Sequence, residues 1–113
     1  MKAVTKIMFL NSDGEKFFGE GPARLLRGVE QTGSLRKAAM GMNMAYTKAL
    51  KLIRNGEAAL GFELITRETG GRDGGGSRLT DEGREWLRRY ERYYDACVQA
   101  NSKLYLEFFP EQQ

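Results

Sequence analysis

Two apolar segments separated by a turn signal at the start of the chain predict a small β-hairpin, although apolar and polar residues alternate only imperfectly. Apolar residues recur between Val4 and Leu10, and a shorter apolar segment runs from Lys16 to Phe18. The dipeptide Asp13-Gly14 stands between them and is a strong turn signal, because both residues suit the tight turn that joins antiparallel strands. We therefore predict that the two segments pair with each other.

Apolar residues at helical spacing predict three consecutive helices after this hairpin. Pro22 suits the first turn of a helix, and Leu25, Leu26 and Val29 give that helix one apolar face. The predicted helices run from about Pro22 to Gly33, from Ser34 to about Gly41, and from about Met44 to Leu60.

The second and third of these helices have the layout of a helix-turn-helix. Ser34 is a good N-cap for the second helix, and small Ala38 and Ala39 allow another helix to approach it closely. Gly41 stands where the chain must turn, and glycine adopts a left-handed conformation at little cost. Near the start of the second helix, Ser34, Arg36 and Lys37 are predicted to bind the DNA backbone, helped by the helix dipole.

The third helix is predicted to expose hydroxyl and amine groups opposite its apolar positions. Such a helix can enter the DNA major groove, where Thr47 can bond a base edge and Lys48 can donate to guanine. Tyr46 lies between the two faces, so both a DNA contact and a place in the core remain open for it. The residues of this helix predicted to contact DNA are Ala45, Tyr46, Thr47, Lys48, Lys51 and Arg54.

A glycine-rich segment after the third helix predicts a wing, meaning a β-hairpin beside the helix-turn-helix, over residues 64–79. Five glycines in the seven residues from Gly70 to Gly76 allow close approach to a phosphate, and Arg72 and Arg78 can reach phosphates or the minor groove. A nucleotide-binding P-loop does not fit, because Gly76 stands where that motif requires lysine.

The last part of the chain predicts one long helix, from Thr80 to about Phe109. At 1.5 Å per residue, about 29 residues would span about 43 Å, which is longer than a core of this size needs. Its apolar positions recur at 3.5 residues, the period of a coiled-coil seam. The residues predicted for a homodimer seam are Leu87, Tyr90, Tyr94, Cys97, Asn101, Leu104 and Phe108. The alternative is that this helix packs only against its own domain.

The fold class predicted from these elements is α+β, mainly α with small β-hairpins. We expect a winged helix-turn-helix domain over residues 1–80 and a dimerisation helix with a short tail over residues 81–113. At 113 residues, the chain allows one core of this kind.

Charge and composition narrow the function further. The net charge is only +3, but residues 21–56 hold seven basic residues against Glu30 alone, a local net charge of +6. The absence of histidine removes the commonest general base and metal ligand, and Cys97 has no cysteine partner within the chain. We therefore expect no enzyme, no metal and no cofactor. The lack of a long apolar run predicts a cytoplasmic protein without membrane contact.

Two sequence blocks resemble the ModE-type, LysR-like winged helix-turn-helix regulators. The first runs from Gly33 through Ala38-Ala39 and Gly41 to Leu50, and the second runs from Arg67 to Thr80 and continues to Leu87. The resemblance implies a dimeric bacterial transcription regulator that binds a pseudo-palindromic operator in double-stranded DNA, with the long helix pairing the subunits. Full-length members also carry an oxyanion-binding domain. Because the chain stops at Gln113, we expect that domain, molybdate binding and any small-molecule effector site to be absent.

Two other classes of function remain for comparison. A protein-interaction module could use the same winged-helix scaffold and recruit a partner through the long helix without specific DNA binding. A hydrolase would need a nucleophile with a base or a cluster of metal ligands, and Glu57, Glu63 and Glu68 are too scattered to supply one.

Overall fold

The computed structural model describes residues 1–68 and 76–112. Its elements follow in the order β1 (Phe9–Leu10), β2 (Lys16–Phe18), α1 (Glu20–Thr32), α2 (Leu35–Gly41), α3 (Tyr46–Leu60), β3 (Ile65–Glu68), β4 (Gly76–Leu79) and α4 (Asp81–Phe108), with a single 3-10 turn at Pro110–Gln112. The α+β prediction is confirmed: four helices carry two small antiparallel strand pairs, β1 with β2 and β3 with β4.

The N-terminal hairpin is shorter than predicted. Only Phe9 and Leu10 pair with β2, whereas residues 1–8, which we call the N-terminal arm, form no strand and lie along α4. Side chains of α4 bind the arm's carbonyls: Tyr90 to Ile7 (3.0 Å), Tyr94 to Thr5 (3.3 Å), Asn101 to Ala3 (3.1 Å) and Tyr105 to Met1 (2.9 Å). The strand prediction over residues 4–8 was wrong because helix side chains, not a second strand, bond this backbone.

The left-handed residue in the turn of the helix-turn-helix lies two residues later than predicted. Gly41 is the last residue of α2, and the residue with a left-handed backbone is Asn43, at φ 52°. The amides of Met42 and Met44 both donate to the carbonyl of Ala39, which closes the end of α2 before the chain reverses. Asparagine tolerates the left-handed region better than most residues, so it takes the place predicted for glycine.

Close packing holds α1 against α2. A Cβ placed on Gly28 of α1 would come within 2.6 Å of the Ala38 Cβ, so the two backbones approach more closely than larger residues would allow. The prediction that Ala38 permits close packing is therefore confirmed. Ser34 caps α2 as predicted, with its side chain accepting a hydrogen bond from the Lys37 amide at 3.0 Å.

The base of the wing is fixed to the helices by backbone hydrogen bonds. Strands β3 and β4 pair from Ile65 opposite Leu79 to Glu68 opposite Gly76. The amide of Ser77 donates to the Gly33 carbonyl at 2.8 Å, which ties β4 to the end of α1. The predicted wing therefore has its two strands, while the segment between them, with Arg72, lies outside the described residues.

The core extends across the domain boundary predicted at residues 80–81. The side chains of Leu87 and Tyr90, on α4, are 0% and 2% exposed and pack with the buried residues of α1, α3 and β2. Thr80 caps α4 by accepting a hydrogen bond from the Gly83 amide at 2.8 Å. Leu87 and Tyr90 are thus core residues of this domain, which corrects their placement in an intersubunit seam.

The second half of α4 extends beyond this core. The helix is 28 residues long, and the molecule measures 59 Å along its longest axis but 30 and 24 Å across. Leu104 and Phe108 on its far half are 50% and 72% exposed. No helix among the described residues is long and apolar enough to cross a membrane.

Candidate nucleic-acid interface

Helix α3 presents a polar, basic face outward. Ala49 and Ile53 are buried in the core and Leu50 and Leu52 are half-buried against it, whereas Lys51 is exposed. Four of the predicted DNA-contacting residues are exposed on this helix: Thr47, Lys48, Lys51 and Arg54. The apolar and polar faces therefore lie where the helical spacing places them.

The N-terminal end of α3 is open to an anion. Its N-cap, Ala45, is exposed and offers no side-chain hydrogen bond to the first turn, and that turn contains no acidic residue. Unbonded amides and the helix dipole make such an end electrostatically positive.

Tyr46, the first residue of α3, lies between two arginines from other elements. The guanidinium carbon of Arg36, on α2, is 4.2 Å from the centroid of the Tyr46 ring, and that of Arg67, on β3, is 5.8 Å from it. Arg67 Nη2 also donates a hydrogen bond to the Tyr46 hydroxyl at 2.5 Å. We call these three residues the Arg–Tyr–Arg cluster.

The structure places Tyr46 at the edge of the core, and the DNA contact that the sequence also left open for it stays a prediction. Tyr46 is half-buried and packs against the edge of the core, while its hydroxyl bonds an exposed arginine. Arg67 was missed as a candidate residue because nothing in the sequence near it indicates proximity to α3. Its only signal is a basic residue in the strand that leads into a glycine-rich loop.

The one acidic residue of α3 is held by backbone amides and not by a basic side chain of this helix. Glu57 accepts hydrogen bonds from the amides of Leu64 and Ile65, at 2.8 and 3.4 Å from its Oε2. Its carboxylate therefore joins the end of α3 to the start of the wing.

The acidic residues that form ion pairs within the described ranges lie on α1 and α4. Arg27 binds Glu20 and Glu91 at 3.1 and 2.7 Å, and Arg88 binds Glu30 and Glu91, both at 2.9 Å. Within residues 1–68 and 76–112, ion pairs with carboxylates are formed by arginines of α1 and α4. In the same described ranges, no ion pair with a carboxylate is formed by the basic residues of α2, α3 and β3, namely Arg36, Lys37, Lys48, Lys51, Arg54 and Arg67. The helix-turn-helix side thus keeps its positive charge.

The remaining predicted residues occupy several environments. Arg36, Lys37 and Arg78 are exposed, and Ser34 is half-buried with its hydroxyl oxygen used in capping α2. On α4, Tyr94 and Asn101 face the N-terminal arm and Cys97 is half-buried. In the described part of the chain, no three acidic or cysteine side chains lie close enough together to hold a metal ion.

Comparison with known proteins agrees with this geometry. Residues 23–84, which span α1, the helix-turn-helix and the base of the wing, match the family model described as bacterial regulatory helix-turn-helix protein, lysR family. This match covers more than half of the chain. The chain belongs to the LysR family of regulatory helix-turn-helix proteins. Membership places it among the DNA-binding regulators of transcription.

Two curated proteins are similar to this chain over about three quarters of its length. The chain is 34% identical over 83 residues to the molybdenum transport protein ModE of Azotobacter vinelandii, covering 74% of this chain and 31% of that protein. It is 28% identical over 91 residues to the transcriptional regulator ModE of Haemophilus influenzae, covering 80% of this chain and 36% of that protein. The chain therefore spans about one third of the length of these relatives, and the predicted ModE-like character is confirmed.

Proposed function

We propose that the protein regulates transcription by binding a two-fold-symmetric site in double-stranded DNA as a homodimer, in the cytoplasm of a bacterial cell. The observation that carries the DNA-binding part is the face of α3. It exposes basic and hydroxyl side chains next to an uncapped, positive helix end, and the arginines that pair with carboxylates in the described residues lie on α1 and α4 instead. Positive charge on one face attracts the phosphate backbone, and hydrogen-bonding groups on the same face can read bases.

In this proposal α3 lies in the major groove. Thr47 and Lys48, on the first turn, contact base edges, and Lys51 and Arg54 contact phosphates further along the helix. Ser34, Arg36 and Lys37 approach the backbone from the start of α2. In the wing, Arg72 and Arg78 would follow the flanking phosphates or the minor groove, and Ala45 would lie close to the DNA at the helix end.

The homodimer part of the proposal rests on the exposed apolar surface beside the N-terminal arm. Tyr93, Leu104 and Phe108 of α4 are 52, 50 and 72% exposed, and the adjacent arm exposes Val4 and Met8. Such a surface on an extended helix normally marks an interface. A second copy is the occupant that also fits the DNA, because two copies related by a two-fold axis would place their α3 helices about 34 Å apart, one turn of duplex.

The test is selection of bound duplexes from a randomised DNA pool, followed by fluorescence anisotropy at two salt concentrations. We expect enrichment of a two-fold-symmetric site and an affinity that falls steeply with salt, because displaced counterions accompany each phosphate contact. Replacing Lys48 by alanine should reduce discrimination against a single changed base pair, by about 1 to 3 kcal/mol.

Lys103→Ala is the matched control, because Lys103 is an exposed lysine on the distal half of α4. It should leave base discrimination unchanged. Absence of both enrichment and salt-dependent binding would contradict the proposal and favour a protein-interaction module that docks a different partner on the exposed end of α4.

A further inference from the structure

The Arg–Tyr–Arg cluster brings two positively charged guanidinium groups onto one side chain. Arg36 and Arg67 come from α2 and β3, and both are exposed. Neither forms an ion pair with any carboxylate in the described part of the chain. Like charges repel, so two guanidinium groups that contact the same ring gain stability when one anion binds to both.

The hydrogen-bonding groups of the cluster also suit an anion that only accepts hydrogen bonds. Each guanidinium has five N–H donors, of which Arg67 uses one on the Tyr46 hydroxyl oxygen. Because that oxygen accepts, the Tyr46 O–H proton remains available to donate to another group. The first turn of α3 begins at the same tyrosine and adds amides that no side chain caps.

We propose that the Arg–Tyr–Arg cluster is a preformed binding site for one backbone phosphate of double-stranded DNA in each subunit. Arg36 and Arg67 bind the phosphate oxygens, and Tyr46 positions both guanidinium groups through its ring and its hydroxyl. The inference rests on the proposed DNA-binding function. It adds Arg67 as a contact residue, assigns Tyr46 a positioning role, and links the base of the wing to the start of the recognition helix through a single phosphate.

Three variants separate charge from positioning, measured by anisotropy on the selected duplex. Arg67→Gln removes the charge and should lower the affinity at least about ten-fold, since hydrogen bonds to charged groups are the stronger ones. It should also reduce the slope of log affinity against log salt by about one for each half-site bound.

Tyr46→Phe keeps the ring that stacks on Arg36 but removes the hydroxyl that holds Arg67. The affinity should fall about three- to ten-fold, while the salt slope stays that of the wild type because every charge remains. A purely structural role for the hydroxyl would lower the melting temperature instead. Arg89→Gln is the control, because Arg89 is an exposed arginine on α4, outside the cluster, and its loss should change neither affinity nor slope.

Neutral methylphosphonate groups, introduced one at a time into the selected duplex, locate the partner of the cluster. For the wild type, one position in each half-site should weaken binding about as much as Arg67→Gln does. With the Arg67→Gln protein, that same substitution should cause no further loss, because the contact is already missing.

Three results would overturn the inference. If the wild type selects a symmetric site but Arg67→Gln and Tyr46→Phe both bind like it, the cluster holds no phosphate, and the proposed function stands without it. If the losses from Arg67→Gln and from each methylphosphonate simply add, Arg67 acts through general charge and not through one phosphate. If the wild type itself binds no duplex, the proposed function fails first and this inference fails with it.

Discussion

Gly83 lies where α4 passes closest to the backbone at Leu64. A Cβ on Gly83 would overlap the Leu64 carbonyl, which itself accepts a hydrogen bond from the Thr80 amide at 3.0 Å. Backbone atoms cannot move aside as the end of a flexible side chain can. The contact therefore requires glycine, although no left-handed conformation is involved.

We expect Gly83→Ala to destabilise the fold by about 1 to 3 kcal/mol, the range typical of overpacking in a tightly packed site. The matched control is Gly21→Ala on α1, where an added Cβ meets nothing within 4 Å and alanine favours the helix. Urea unfolding followed by the fluorescence of Trp86, the chain's single tryptophan, measures both variants. Equal stability of the two variants would show that α4 can shift away from Leu64 without loss.

Single residues also show where sequence reasoning succeeds and where it fails. Ser34 and Thr80 were identified as caps correctly, because a cap depends on a side chain and an amide three residues further along. Gly41 was placed wrongly in the turn, since hydrogen bonds at the end of α2 decide where the chain reverses. Arg67 was missed because it is far from Tyr46 in the sequence and contacts it only in the folded chain.

Between elements, Glu91 of α4 is joined to α1 by its ion pair with Arg27. Burial alone would raise the pKa of Glu91, but hydrogen bonds from Arg27 and Arg88 outweigh it and hold that pKa below the ordinary value of 4.5. A carboxyl whose pKa is lower in the folded state stabilises the fold above its unfolded pKa. That contribution is lost as the pH falls through the lower, folded pKa.

We therefore expect Glu91→Gln to destabilise the fold by on the order of 1 kcal/mol at neutral pH, since the pairs are partly exposed. The difference between variant and wild type should shrink as the pH falls below 4.5. Glu85→Gln, at an exposed position on the same helix, should show no such difference at any pH. Thermal unfolding over a series of pH values measures both, and a constant gap for Glu91→Gln would contradict the assigned role.

Among the elements, the helices were predictable and the N-terminal arm was not. The apolar faces of α1 to α4 follow from the spacing of nearby residues. The predicted bounds of these helices therefore lie within a few residues of those in the structure. Burial also alternates along the arm and into β1, where Thr5, Ile7 and Phe9 are half-buried. The arm's carbonyls, however, accept hydrogen bonds from Tyr90 and Tyr105, on a helix that begins more than seventy residues later. Only the folded topology brings these groups together.

Across the whole molecule, charge and apolar surface are separated onto different regions. The basic residues of α2, α3 and β3 form no ion pair with a carboxylate within residues 1–68 and 76–112, the ion-paired arginines lie on α1 and α4, and most of the exposed large apolar side chains lie on α4 and the arm. In a homodimer built on the apolar surface, each copy keeps its basic face available to DNA. Loss of the dimer should then weaken DNA binding without touching any DNA-contacting residue.

Leu104→Lys tests whether DNA binding depends on the dimer, because the charge that it adds acts in the direction opposite to the expected loss of affinity. The added positive charge would by itself strengthen DNA binding, so a weaker complex must come from loss of the second subunit. Burying a lysine in an apolar interface costs free energy. We therefore expect the dissociation constant of the dimer, measured by sedimentation velocity, to rise at least about ten-fold. Binding to a two-site operator should weaken in parallel.

Ser102→Lys is the matched control, because it adds the same charge two residues away on the opposite side of α4, where Ser102 is exposed. It should leave the sedimentation unchanged and preserve DNA affinity. If Leu104→Lys remains dimeric, the second copy does not pack against this surface. If it becomes monomeric but keeps the operator affinity of the wild type, each subunit binds DNA independently, and the exposed end of α4 serves a purpose other than aligning two recognition helices.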